Sequence, residues 1–199
     1  MIGELVKCAA VSSLLPDDEA YRAAFDSAPE GRRRKCLAFR FEADRRRSLA
    51  AWLLLKELLT KAGCEVARME FRETPQGRPY SPSLPHLGIS LSHAGDYVMA
   101  AVAEGAVGCD VERIVPMDLA VAERCFTAAE LRHLEAFPPG AAQDSEFIRL
   151  WTRKESVLKA LGCGFLRDPR TIDTLDSVAG FRLVDVAAPS GYRAAFARR

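Results

Sequence analysis

The sequence predicts an α+β fold, because its amphipathic helical stretches and its alternating, strand-like stretches fall in separate tracts with turn-forming residues between them. A helical tract lies in the first half at 45–61, strands cluster near the middle, and two helices followed by two strands complete the second half.

From Asp44, read as an N-cap, residues 45–61 are helix formers throughout, with Leu49, Trp52, Leu53 and Leu59 apolar and a stop at Gly63. The Pro-, Gly- and Ser-rich stretch 74–85 reads as a surface loop. Leu87, Ile89 and Leu91 then alternate with Gly88, Ser90 and Ser92. His93 to Asp96 break that pattern before the apolar run 97–103, which together read as a β-hairpin. A turn at Glu104 and Gly105 leads into a third alternating run, 107–112. That turn is the expected boundary between a half spanning 1–104 and a half spanning 105–199. Thr127 with Glu130 three residues on forms a capping box that opens a helix near 127–137. A second helix is expected near 145–161, ended by Gly162 and Gly164, and runs 181–186 and 192–197 read as strands joined by a Pro-Ser-Gly turn.

At 199 residues the chain buries a core without disulfides or a structural metal. Its 28 basic and 27 acidic residues nearly cancel, so no global field draws nucleic acid or an anionic membrane, and neither is expected as a partner. The six cysteines lie far apart with no Cys-x-x-Cys pair, which reads as reduced thiols rather than zinc or a redox dithiol. The start lacks a secretory pattern and the longest strongly apolar run, 50–55, is too short to span a bilayer, so a cytoplasmic location is expected.

In a strand, residues two apart point to one face about 7 Å from each other, so Asp110 and Glu112 project together while Val107, Cys109 and Val111 face away. Gly108 shares the acidic face and leaves room for a ligand or another backbone. An Asp-x-Glu pair alone also describes an ordinary solvated strand face. Two neighbouring carboxylates repel unless protonated or neutralised, and a hard cation such as magnesium is the usual remedy. On the helix near 145–161, Phe147, Leu150, Trp151, Val157, Leu158 and Leu161 form one apolar arc, with Glu155 and Lys159 on its shoulder. Those two could be a surface ion pair, or Glu155 could be a third metal carboxylate. Lys154 falls inside the arc, where a lysine is expected only if its stem snorkels or its ammonium meets a buried anion. Arg32, Arg33, Arg34, Lys35, Arg40, Arg45, Arg46 and Arg47 face only Glu30, Glu42 and Asp44, a cluster suited equally to a phosphate monoester and to solvent. His93, at a strand end beside a Ser-x-Ser face, is placed to reach a phosphate or to serve the turn.

The run from Val107 to Glu112, followed after about forty residues by Trp151-Thr152-Arg153-Lys154-Glu155-Ser156-Val157-Leu158-Lys159, resembles the paired signature of the 4′-phosphopantetheinyl transferases. The resemblance is to the surfactin-synthetase-activator type and runs from about Arg32 to Lys159. It implies a pseudo-twofold fold of two similar α+β halves in one chain, each a small antiparallel sheet packed with helices, and a monomer. It further implies magnesium, with manganese as a possible substitute, held by Asp110, Glu112 and Glu155. Coenzyme A is the implied substrate, and an apo acyl or peptidyl carrier protein the implied partner. Glu155 and Lys159 would be catalytic, Glu155 accepting the carrier serine's proton, and Lys154 and Lys159 would meet phosphates. Arg32, Lys35 and Arg47 would take the 3′-phosphate and adenine end, which places that function in the first half and the metal site in the second. Ser92 and His93 would match a phosphate-contacting pair. Gly77 and Arg78 stand where the family reads Gly-Lys-Pro, so a planar fork replaces a point charge. Cys109 replaces the usual Ile or Val. Carrier docking would fall near Cys125, Phe126 and Thr127, with Leu131 better read as core. The competing functions are a magnesium-dependent pyrophosphate hydrolase acting on a nucleotide cofactor and a non-catalytic scaffold that binds coenzyme A or a carrier domain.

Overall fold

A computed structural model describes residues 3–199, with Phe165 described by its backbone alone. The chain opens with β1 (Leu5–Ala10) and four helices, α1 (Val11–Leu14), α2 (Asp18–Asp26), α3 (Glu30–Ala38) and α4 (Glu42–Lys61). Two short paired strands, β2 (Arg72–Glu73) and β3 (Pro79–Tyr80), lead to the long strands β4 (Leu87–Ala94), β5 (Tyr97–Glu104) and β6 (Val107–Arg113). Then come α5 (Leu119–Cys125), α6 (Ala128–Glu135), α7 (Ala141–Leu161), β7 (Arg182–Val186) and β8 (Tyr192–Arg198).

The long strands form two antiparallel sheets, ordered β1-β5-β4 and β6-β8-β7. Both use the same connection: a first strand, a tract of helices, then a hairpin whose second strand takes the centre. The period of two assigns each face of a strand its own neighbours. On β5, Val98, Ala100 and Val102 pack with Leu49, Trp52 and Leu55 of α4, while Met99, Ala101 and Ala103 face Cys109, Val111, Ala194 and Phe196 of the other sheet. On β8, Ala197 turns instead toward Val157, Leu158 and Ala160 of α7. The result is four layers, helix, sheet, sheet, helix, with a core between the sheets as well as one under each long helix.

Glycine sets the closest approaches. A Cβ on Gly108 would lie 1.9 Å from the Ser156 carbonyl oxygen and 2.6 Å from the Ala160 nitrogen, so its bare backbone lets α7 lie directly against β6. A Cβ on Gly95 would lie 2.3 Å from the Tyr192 hydroxyl, which accepts a hydrogen bond from the Asp96 amide at 3.3 Å. That contact ties the β4–β5 turn to the last strand of the chain. Neighbouring strands β4 and β6 share no ladder. Instead the Cys109 and Val111 amides donate to the Ser90 and Ser92 hydroxyls at 3.0 and 3.4 Å. The alternating serines thus satisfy the open edge of β6.

Several expectations are corrected. Helix α4 begins at Glu42, with extended Phe41 as its N-cap, and Asp44 lies in the first turn, bonded to Arg47 at 2.7 Å. Helix α7 begins at Ala141, because Gly140 supplies a φ of 119° just before it. The seven-residue α5, absent from the sequence reading, is capped by the Asp118 side chain on the Val121 amide. Among the described residues no helix is long and apolar enough to cross a membrane.

Candidate active site

A cleft of about 320 Å³ opens where β4, β6 and α7 meet, lined by Leu91, Ser92, His93, Asp110, Glu112, Trp151, Glu155 and Lys159. At its floor Asp110, 2% exposed, accepts hydrogen bonds at Oδ1 from Lys159 Nζ at 2.6 Å and from the Ser92 hydroxyl at 2.7 Å. Lys159 also donates to Ser92 at 3.1 Å. Three elements therefore converge on one carboxylate oxygen. The ion pair of Lys159 is with Asp110, across the sheet–helix interface.

The other oxygen, Asp110 Oδ2, is buried without a hydrogen-bond partner. Burial, reinforced by Asp110 and Glu155, pushes the Glu112 carboxyl up to about 7. Glu155 is raised by burial and then by Asp110. Burial pulls Lys159 down, yet the Asp110 charge and hydrogen bond outweigh it, so the ammonium stays protonated. His93 lies below its ordinary value because of desolvation and the nearby charges of Arg47 and Lys159. A buried orphan oxygen beside two carboxyls of raised proton affinity is a donor set short of positive charge, and it fits a hard divalent cation. Among the described residues no three His, Cys, Asp or Glu side chains close around an ion by themselves. Magnesium commonly takes only one or two carboxylates and completes its shell with water and phosphate oxygens, so an open set of this kind suits it.

The cleft continues through Leu91 and Lys159 into a cavity of about 150 Å³ that includes Gly77, Arg78 and Pro79. Arg78 donates to the Ala160 carbonyl at 3.4 Å, where the C-terminal end of α7 favours a cation. Pro79 is shared in turn with a cavity of about 410 Å³ lined by Arg32, Trp52, Phe71 and Glu73. Lys35 reaches the same corner through Glu73 at 2.7 Å. Arg47 stands nearer His93 and donates to the Gly95 carbonyl at 3.1 Å. Leu91, Trp52 and Glu73 were not picked out as site residues. Their only signal was membership of an alternating run, a helix and a loop.

Lys154, Phe126 and Thr127 lie away from the cleft and the cavities that adjoin it. Lys154 is 1% exposed and its ammonium meets Glu130 at 2.8 Å and the Pro169 and Ile172 carbonyls at 3.0 and 2.5 Å. The buried anion that its place in the arc required is Glu130, and a phosphate role for Lys154 has no place in this arrangement. Phe126 is buried against Phe147, ring centroids 5.5 Å apart, so it belongs to the core rather than to a docking surface. Thr127 caps α6 and donates to Asp173 at 3.0 Å, while Leu131 packs at the edge of the same core.

Comparison with known proteins bears on both sheets. Residues 106–197 match the 4′-phosphopantetheinyl transferase superfamily, and residues 13–105 match the family described as 4′-phosphopantetheinyl transferase, N-terminal. The chain is 34% identical over 155 residues to the 4′-phosphopantetheinyl transferase psf-1 of Bacillus pumilus, covering 76% of this chain and 66% of that protein. It is 30% identical over 138 residues to the 4′-phosphopantetheinyl transferase Sfp of Bacillus subtilis (strain 168), covering 69% of this chain and 61% of that protein. With the 4′-phosphopantetheinyl transferase AcpT of Salmonella typhi the identity is 37% over 116 residues, covering 57% and 59%. The chain thus spans about three fifths to two thirds of the length of these curated relatives. Because the two family matches meet at residue 105 and take in every residue that lines the cleft, the chain belongs to the 4′-phosphopantetheinyl transferase superfamily, in its Sfp-like branch.

Proposed function

We propose that this chain transfers the 4′-phosphopantetheine arm of coenzyme A to a serine hydroxyl of an apo acyl or peptidyl carrier protein, releasing adenosine 3′,5′-bisphosphate. The observation that carries this reading is the junction of Lys159 and Ser92 on Asp110 in a cleft shared with Glu112 and Glu155. The names of the chain's relatives point the same way.

Asp110, Glu112 and Glu155 would hold Mg²⁺, or Mn²⁺ in its place, which when bound neutralises charge on the pyrophosphate of coenzyme A. Glu155, whose affinity for a proton is raised, takes the proton of the carrier serine. The serine oxygen bonds to the β-phosphorus as the bond from that phosphorus to the bridging oxygen breaks, and the bridging oxygen leaves with the bisphosphate. Lys159 keeps its proton and faces the oxygens on which charge develops. Ser92 and His93 orient the pyrophosphate. Gly77 and Arg78 line the passage along which the nucleotide lies, and Arg32, Lys35 and Arg47 receive its 3′-phosphate end. In this reading residues 1–104 grip the nucleotide and residues 105–199 carry the metal and the catalytic helix. The chain works as a cytoplasmic monomer, with no nucleic acid or membrane as partner.

The test is to incubate the protein with coenzyme A, Mg²⁺ and an apo carrier protein and to weigh the carrier. A gain of one phosphopantetheine is expected, lost in Asp110→Ala and Glu155→Gln while coenzyme A still binds. Release of adenosine bisphosphate with no carrier present would favour a hydrolase, and normal turnover in either variant would remove the mechanism.

A further inference from the structure

Glu73 holds two cations with one carboxylate. Its Oε1 lies 2.7 Å from Lys35 Nζ and 3.8 Å from Arg32 Nη2. The two cations stand three residues apart on α3 and so project to the same side. The neighbouring charges are already engaged: Arg72 with Glu70 at 2.7 Å, Arg34 with Glu30 at 3.7 Å, and Arg33 with the Asp26 carbonyl at 3.1 Å. Arg32 and Glu73 line the cavity, Lys35 adjoins it through Glu73, and these three leave one positive charge in excess.

The three members differ in freedom. The Arg32 side chain is only 8% exposed, with its guanidinium over the Trp52 ring at 5.3 Å and the edge of Phe71 against that ring at 4.7 Å. Trp52 Nε1 is buried with no hydrogen-bond partner. Glu73, in contrast, has a 36% exposed side chain on a strand of two residues. The anion can swing into water while the arginine cannot.

We infer that Glu73 is a specificity-determining residue of the nucleotide site: its carboxylate stands where a phosphate monoester would bind and is displaced when one arrives. This rests on the reading of Arg32 and Lys35 as receivers of the 3′-phosphate. A monoester carries close to two negative charges and three acceptor oxygens, so it outcompetes a single carboxylate for the pair. Separating Glu73 from its cations is charged against any ligand that carries the phosphate and not against one that lacks it. Glu73 therefore narrows the preference for coenzyme A over dephospho-coenzyme A.

Isothermal titration of both ligands in Mg²⁺, for wild type and Glu73→Gln, tests this. The variant is expected to bind coenzyme A about fivefold tighter, as loss of a partly exposed ion pair implies, and dephospho-coenzyme A within about twofold of wild type. The gain should shrink as salt is added. Weaker coenzyme A binding would make Glu73 a scaffold for the two cations, and an equal shift for both ligands, or no shift, would remove its role in discrimination. If wild type itself binds the two ligands equally, the 3′-phosphate reading fails and the inference with it. A wild-type preference that the variant leaves unchanged overturns Glu73 alone.

Discussion

At Glu112 burial and two like-charged neighbours act together, and the carboxyl rises from 4.5 to about 7. A carboxyl that holds its proton more tightly in the fold than in the unfolded chain stabilises the fold at low pH. That contribution fades as pH rises from the unfolded value through about 7. His93, held low, works in the opposite direction, so only the difference between variant and wild type isolates Glu112. Without divalent cation, Glu112→Gln is expected to raise Tm by about 2–4 °C at pH 8 and to leave it unchanged at about pH 4. Differential scanning fluorimetry across that range checks it, and parallel curves for the two proteins would show that the carboxyls do not repel. The common face of Asp110 and Glu112 was legible because a strand's period is a local property. The partner of Lys154 was not. The helical arc demanded a buried anion, but Glu130 lies on another helix and only the packed fold brings it within 2.8 Å.

Helix α7 depends on one position in the strand beneath it. Backbone atoms, which cannot yield as a flexible side chain would, surround the missing Cβ of Gly108. Gly108→Ala is expected to cost about 3 kcal/mol or more and to lower turnover by displacing Glu155 and Lys159 from β6. Urea unfolding with a parallel transfer assay measures both, and an alanine variant of wild-type stability would contradict the close approach. The sequence showed that Gly108 leaves room for a ligand or another backbone, without saying which. Long elements with strong periodicity or caps, α4, α6, α7 and the β4–β5 hairpin, were readable with small errors at their ends. Short ones were not: α5 has seven residues and β2 only two, too few for a period to emerge. Nor could alternation say that β6 would join β8 rather than extend the hairpin's sheet, since pairing partners are chosen by the whole chain.

The two sheets share a core, and this predicts that they melt as one. Trp52 lies on α4 in one outer layer and Trp151 on α7 beside the cleft in the other. Fluorescence of Trp151→Phe and Trp52→Phe then reports on each layer separately, and denaturant curves compared with circular dichroism of the same variant should share one midpoint. Separate midpoints would mean that the inter-sheet core of Met99, Ala101, Cys109, Ala194 and Phe196 does not couple the layers.

That shared core also sets a timetable for biosynthesis. The inner face of β5 is complete once residue 104 has been made, but its cover includes β8, whose last residue is Arg198. At about 5–20 residues per second, the ribosome leaves that apolar surface waiting for roughly 5–20 s. During this interval the nascent chain offers a sheet face to chaperones, proteases and neighbouring chains, and a product released early would keep it exposed for good.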